Sequence, residues 1–183
     1  SGYVNIFSTN NTFGAFAALR LNGSITAWGD SSKGGTGAPT DTGYVNIFST
    51  NSGAFAALKS DGSITAWGDS SHGGTGAPTD TGYVNIFSNE SAFAALKSDG
   101  SISVWGSEYY GGSTSSGSSP SRTGAPTDSG YVNVFSNALA FAALKSDGSI
   151  TGWGYSTNGG SDAPTDSGYV NIFSTNNTFG AFA

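Results

Sequence analysis

The residues able to do chemistry are few. His72 is the only histidine in the 183 residues, and there is no cysteine. Glu90 and Glu108 are the only glutamates and lie far apart in the sequence. A lone imidazole with no recurring serine or carboxylate beside it makes no nucleophile–base pair. No nucleophile elbow, phosphate loop or paired-carboxylate motif is present. The expectation is a chain with no catalytic residue and no cofactor, that is, not an enzyme. Aspartates offer the one candidate metal chemistry. Asp30 and Asp69 precede Ser-Ser, and Asp41, Asp80, Asp128 and Asp166 each close an "APTD". Calcium takes such hard oxygen ligands. The equivalents of Asp69 are, however, Ser107 and Tyr155, so the set is not kept, and turn capping accounts for these aspartates equally well. Two aromatic residues break a pattern of small polar loops: Tyr109 and Tyr110. Exposed loop aromatics stack on sugars or anchor protein partners, which makes this pair the candidate partner-binding site.

The elements that hold these residues come from repetition. "GYVNIFS" begins at Gly2, Gly43, Gly82 and Gly168, and again at Gly130 with Val134 in place of the isoleucine. "AFAAL" follows, ending at Leu19, Leu58, Leu96 and Leu144. Next come Asp-Gly or Asn-Gly, with the glycines Gly23, Gly62, Gly100 and Gly148, then a Trp-Gly pair at Trp28, Trp67, Trp105 and Trp153. A period of roughly 40 residues marks a repeat architecture. The units are 2–42, 43–81, 82–129, 130–167 and a partial 168–183, within one array over 1–183. The third is lengthened by a Ser-rich insert, 113–122, expected as a mobile surface loop.

Each unit predicts three strands, for example 44–49, 54–59 and 63–68. Strict alternation would put Val45 and Ile47 on one face and Tyr44, Asn46 and Phe48 on the other. Asp-Gly and Asn-Gly predict two-residue type I′ hairpins, with Asp61, Asp99 and Asp147 as turn formers. Glycine, serine and asparagine are dense enough to argue against helix anywhere. The chain is thus all-β: tandem three-stranded antiparallel blades of roughly 40 residues. A meander with two apolar faces must stack, either radially as a β-propeller or linearly as an open solenoid.

The run "AFAALKSDGSITAWGDSSHGG" resembles the regulator of chromosome condensation repeat, matching at Ala57, Leu58, Lys59, Asp61, Gly62, Trp67, Gly68 and Gly73. The short unit ending at Pro78 is similar to the propeller-type β-lactamase inhibitory protein of bacteria. The resemblance covers nearly the whole chain and implies a propeller, seven-bladed in typical members, with loops on one face for binding. This chain departs at Ser88-Asn89, where the family often has Gly-His, and at Gly73-Gly74, where it has Gly-Gln.

Residues 1–17 and 167–183 are identical. This predicts a segment of a longer array with a four-unit super-repeat, completed as a ring by further sequence or another chain. An open fibre-like stack and a closed four-bladed ring are the alternatives. The net charge of −6 argues against nucleic acid as partner, and no apolar run is long enough to insert in a membrane. The sequons at Asn10, Asn22, Asn89 and Asn176 are expected by chance in so Asn- and Ser-rich a chain. The leading function is an extracellular or cell-surface repeat protein of bacterial type, a structural, fibre-forming or adhesin scaffold that self-associates through its repeat faces or edges. The alternative is a protein- or glycan-binding propeller module. An exchange factor like the family's namesake comes third.

Overall fold

The structure is a computed structural model that describes residues 2–9, 14–116, 121–175 and 182. Four antiparallel sheets follow one another along the chain. The first holds β1 (Tyr3–Ser8), β2 (Ala15–Arg20) and β3 (Ile25–Gly29), and the second holds β4 (Tyr44–Ser49), β5 (Ala54–Lys59) and β6 (Ile64–Gly68). The third comprises β7 (Tyr83–Ser88), β8 (Ala92–Lys97) and β9 (Ile102–Gly106). The fourth adds a short edge strand, β10 (Arg122–Thr123), to β11 (Tyr131–Ser136), β12 (Ala140–Lys145) and β13 (Ile150–Tyr155), in the order β10-β13-β12-β11. The all-β class and the three-stranded meander are as the sequence predicts.

The middle strand decides how sheets stack. In "AFAALK" the residues Ala54, Ala56 and Leu58 lie on one face and Phe55 and Ala57 on the other, all buried. The small Ala–Ala–Leu face of each sheet receives the large face of the next. Ala54, Ala56 and Leu58 form one core with Tyr83, Ile86, Phe93 and Trp105. Ala15, Ala17 and Leu19 do the same with Tyr44, Ile47, Phe55 and Trp67. Alanine leaves room for the next sheet's aromatic rings, and each fully buried ring contributes about 1.5–3 kcal/mol.

Three local expectations are corrected. Strict alternation fails in the first strand because it carries a β-bulge: Tyr44 pairs with Lys59 and Asn46 with Leu58, leaving Val45 as the extra residue. Tyr44 and Ile47 therefore share the buried face, and Val45 points to solvent. The Asn46 side chain accepts from the Ile47 amide at 2.9 Å, and the same bond recurs at Asn5, Asn85, Asn133 and Asn171. The hairpins are not type I′. Among the described residues no non-glycine has positive φ. Instead Ser60, Asp61 and Gly62 form a three-residue loop: the Gly62 amide donates to Lys59 O at 3.0 Å, the Lys59 amide to Ser63 O at 2.9 Å, and Gly62 sits at φ +79°. Asp61 remains a turn former, accepting from the Ser63 amide at 2.9 Å. Helix is not wholly absent, since a single 3₁₀ turn follows each Trp-Gly, as at Ser70–His72.

The "APTD" aspartates are latches between linker and hairpin. Asp41 accepts from the Tyr44 hydroxyl at 2.9 Å and pairs with Lys59, whose ammonium lies 5.0 Å from the centre of the Tyr44 ring. Asp80–Tyr83–Lys97 and Asp128–Tyr131–Lys145 repeat the set. Asp30 and Asp69 cap their 3₁₀ turns, accepting from the Ser32 and Ser71 amides. Asp69 also bridges Lys33 at 2.7 Å, and His72 Nδ1 lies 3.0 Å from its carboxylate.

The latches set a pH window. The lysine ammonium beside it holds each of Asp41, Asp80 and Asp128 below the usual carboxylate range. Depressed carboxylates contribute stability above their unfolded pKa of about 4, and that contribution is lost as pH falls through the folded value. Lys59, Lys97 and Lys145 are raised by the same pairing, so their contribution is lost as pH rises through their folded values, above about 10. Burial also raises Tyr44, Tyr83 and Tyr131, which act in the same alkaline direction. The expected result is a flat thermal midpoint between about pH 5 and 9 with a fall on both sides. Scanning calorimetry from pH 2 to 11 measures it, and a midpoint that rises below pH 4 would contradict the latch.

Candidate functional site

Tyr109 and Tyr110 lie in the 3₁₀ turn Glu108–Tyr110 after β9, between Ser107 and the left-handed Gly111. The insert shapes their surroundings. Its last residue, Arg122, pairs with Tyr155 through β10 and β13. The Arg122 guanidinium reaches Glu108 at 2.6 Å and stacks 5.0 Å from the centre of the Tyr109 ring. Arg122 Nε also donates to Ser116 O at 3.0 Å. The insert is thus tied down at its C-terminal end, where the sequence predicts a mobile loop; residues 117–120 lie outside the described residues.

This arrangement brings together side chains that the sequence does not connect. Tyr109, Tyr110 and Tyr155 line a groove of about 740 Å³ between the third and fourth sheets, with Glu90, Leu139 and Thr157. Tyr109 is 48% and Tyr155 36% exposed. Among the described residues no hydrogen bond engages the three hydroxyls, unlike Tyr44, Tyr83 and Tyr131, whose hydroxyls are held by aspartate and Thr or Ser. Burial, then the charge of Glu90, raises the Tyr110 hydroxyl, which stays protonated at neutral pH. The floor is firm. Asn89 Nδ2 donates to Tyr110 O at 2.7 Å, and Asn89 Oδ1 accepts from the Ser91 and Ala92 amides. That sequon is therefore occupied as a turn cap, and Asn22 likewise caps its hairpin. Asn10 and Asn176 lie outside the described residues. At Glu90 the groove meets a second, polar depression of about 350 Å³, lined by Ser49, Asn51, Ser88, Ser136 and Asn137 from the ends of successive first strands.

Tyr109 and Tyr110, the candidate pair from the sequence, share this groove with Tyr155 and Glu90, which the sequence did not group with them. The signal for Tyr155 was its place directly after Trp153-Gly154, where earlier units have aspartate or serine. His72 lies outside this groove, and no cluster of three or more His, Cys, Asp or Glu suited to a metal exists among the described residues.

The tryptophans serve the stack. Trp67, Trp105 and Trp153 donate from Nε1 to Gly34 O, Gly73 O and Gly111 O of the preceding loop at 3.1–3.2 Å. Each stacks on the phenylalanine of its own sheet, as Phe55 on Trp67 with centroids 5.1 Å apart. Gly73 lets this happen: a Cβ there would sit 2.7 Å from the Phe93 ring.

Solved structures define the class as propeller-type. The chain superposes on the ectodomain of the receptor kinase CR4 of Physcomitrella patens with a TM-score of 0.64 at 17% identity, covering 94% of this chain and 49% of that one. For the CRINKLY WD40 ectodomain of Arabidopsis thaliana ACR4 the TM-score is 0.57 at 17% identity, covering 86% and 52%. For Saccharomyces cerevisiae Prp20p, a protein studied for its binding to Gsp1p and histones, it is 0.59 at 15% identity, covering 92% and 49%. Prp20p is the yeast RCC1, so the fold implied by the sequence resemblance is found. The chain spans about half the length of these propellers. No family model and no curated protein matches the sequence.

Proposed function

We propose that this chain is a non-enzymatic, extracellular propeller-type scaffold that binds a neutral oligosaccharide along the groove between its third and fourth sheets. One observation carries the reading. Three tyrosines whose hydroxyls make no hydrogen bond among the described residues line a groove that shares Glu90 with a depression lined by serine and asparagine. Aromatic rings stack on the apolar faces of sugars, and the short polar side chains match their hydroxyls. The ectodomain neighbours support an extracellular setting. The likeness of the Pro-ended unit to β-lactamase inhibitory protein is one of sequence pattern and would favour a protein partner instead.

Glycan-array screening followed by calorimetric titration tests this. Tyr109→Ala and Tyr155→Ala should each weaken binding about tenfold or more while leaving the thermal midpoint nearly unchanged, because both rings are exposed. Binding that ignores both substitutions would remove the groove from the function. Capture of one defined protein, lost in Tyr109→Ala, would replace the sugar with a protein ligand.

A second reading, a structural or fibre-forming scaffold that self-associates, is favoured by a separate observation. The large face of the first sheet is open: Phe16 and Trp28 are each 44% exposed, while Phe55, Phe93 and Phe141 are 0%.

A further inference from the structure

We infer that Asn22 is a modification site: it deamidates spontaneously, with the Gly23 amide as nucleophile, and the fold accepts the resulting aspartate as it accepts aspartate in the other three hairpins. Asn-Gly occurs twice in the sequence, at Asn22-Gly23 and Asn158-Gly159. A glycine after asparagine carries no side chain to shield its backbone nitrogen, so both dipeptides have the reactive chemistry. The nitrogen attacks the asparagine Cγ, an N–Cγ bond forms, and the side-chain nitrogen leaves as ammonia. Water then opens the cyclic imide at Cγ. The N–Cγ bond breaks, the main chain is restored, and a side-chain carboxylate remains. Water is consumed, ammonia is released, and nothing is oxidised or reduced.

The fold separates the two dipeptides. Asn22 is exposed at the tip of the hairpin between β2 and β3. The Gly23 amide donates to Arg20 O at 2.9 Å, and Asn22 Oδ1 accepts from the Ser24 amide at 3.1 Å and the Ser24 hydroxyl at 2.8 Å. Opening that tip frees nucleophile and electrophile together, and exposed tips open at the lowest cost in a fold. Asn158 is 7% exposed. Its carbonyl accepts from Asn137 Nδ2 at 2.8 Å and its Oδ1 from the Thr157 hydroxyl at 3.0 Å. Freeing it means breaking a buried contact.

The product has a prepared place. Asp61, Asp99 and Asp147 stand where Asn22 stands, each accepting from the following serine's amide at 2.9 Å and hydroxyl at 2.7 Å. Arg20 holds the position of Lys59, Lys97 and Lys145, so a cation already flanks the new carboxylate. The serine hydrogen bonds hold those three aspartates below the usual carboxylate range. They stay ionised, and an ionised carboxylate is a poor target for the glycine amide, so the Asp-Gly hairpins resist the ring closure open to Asn22. Hydrolysis at the backbone carbonyl instead would add a methylene to the main chain beside Gly23. A Cβ there already lies 2.6 Å from Gly43 N, so the junction has no room for it.

Incubation of the full chain in mildly alkaline buffer, followed by isoelectric focusing and peptide mapping, is the test. A species one charge more acidic than the −6 chain should accumulate and comigrate with Asn22→Asp. It should map to Asn22, which reacts about tenfold or more faster than Asn158. In guanidinium chloride, with the chain unfolded, the two rates should converge. Asn22→Ser should remove the acidic species. Asn22→Asp should keep the thermal midpoint of the unmodified chain. A folded chain in which Asn22 stays intact, or in which Asn158 keeps pace with it, overturns the site. A midpoint clearly lowered by Asn22→Asp overturns the prepared place.

Discussion

Replacing Trp153 by alanine is expected to lower the unfolding free energy by about 3–5 kcal/mol, and replacing Trp28 by less than about 1 kcal/mol. The two residues occupy the same position of the repeat and differ only in what covers them. Trp153 is fully buried, stacks on Phe141 at 5.3 Å and donates to Gly111 O at 3.2 Å. Its removal leaves a cavity between the third and fourth sheets and an unpaired carbonyl, and both losses add. Trp28 stacks on Phe16 at 5.4 Å but is half in water. Its truncation exposes little that was dry. Urea unfolding at a concentration where the chain is monomeric separates the two. Equal losses would mean that stability resides within each sheet and that the junctions contribute little.

That contrast marks what could be read from the sequence. The period, the three strands and the need to stack follow from "AFAAL" and Trp-Gly recurring, because a meander with two apolar faces has no other way to bury them. Which face meets which was hidden, since it depends on a bulge at Val45 that moves Tyr44 to the side of Ile47. The clue was present in Asn46, a poor strand residue whose side chain holds the freed Ile47 amide. The turn chemistry misled in a similar way. Asp-Gly suits a type I′ turn, yet the pairing of Leu58 with Ile64 leaves a longer loop in which only the glycine needs positive φ. The groove was half legible. Tyr109 and Tyr110 stand out as large residues among small ones, but Tyr155 belongs to the next unit, and neither its packing beside them nor its pairing with Arg122 is written in the sequence. A pairing that depends on an insert unique to one unit leaves no periodic trace.

Gly100→Ala should cost about 3 kcal/mol or more, and Gly130→Ala only about 1–2 kcal/mol. Both residues have positive φ, +81° and +91°, so both substitutions carry the same conformational penalty. Both also gain by restricting the unfolded chain, by about 0.4–1 kcal/mol. What differs is space. A Cβ on Gly100 would lie 2.6 Å from the amide nitrogens of Gly130 and Tyr131, whereas one on Gly130 meets nothing within 4 Å. The close neighbours are backbone, which cannot rotate aside as a side chain can. They belong to the next sheet, whose Tyr131 amide donates to Gly100 O at 3.1 Å. The hairpin glycine therefore does two jobs: it completes its own turn and lets the following strand dock against it. The same close approach occurs at Gly23, Gly62 and Gly148, so Gly62→Ala should behave like Gly100→Ala. If Gly100→Ala and Gly130→Ala cost the same, the turn conformation alone explains the repeat's glycine. If Gly100→Ala costs far more, the junction between sheets selects it.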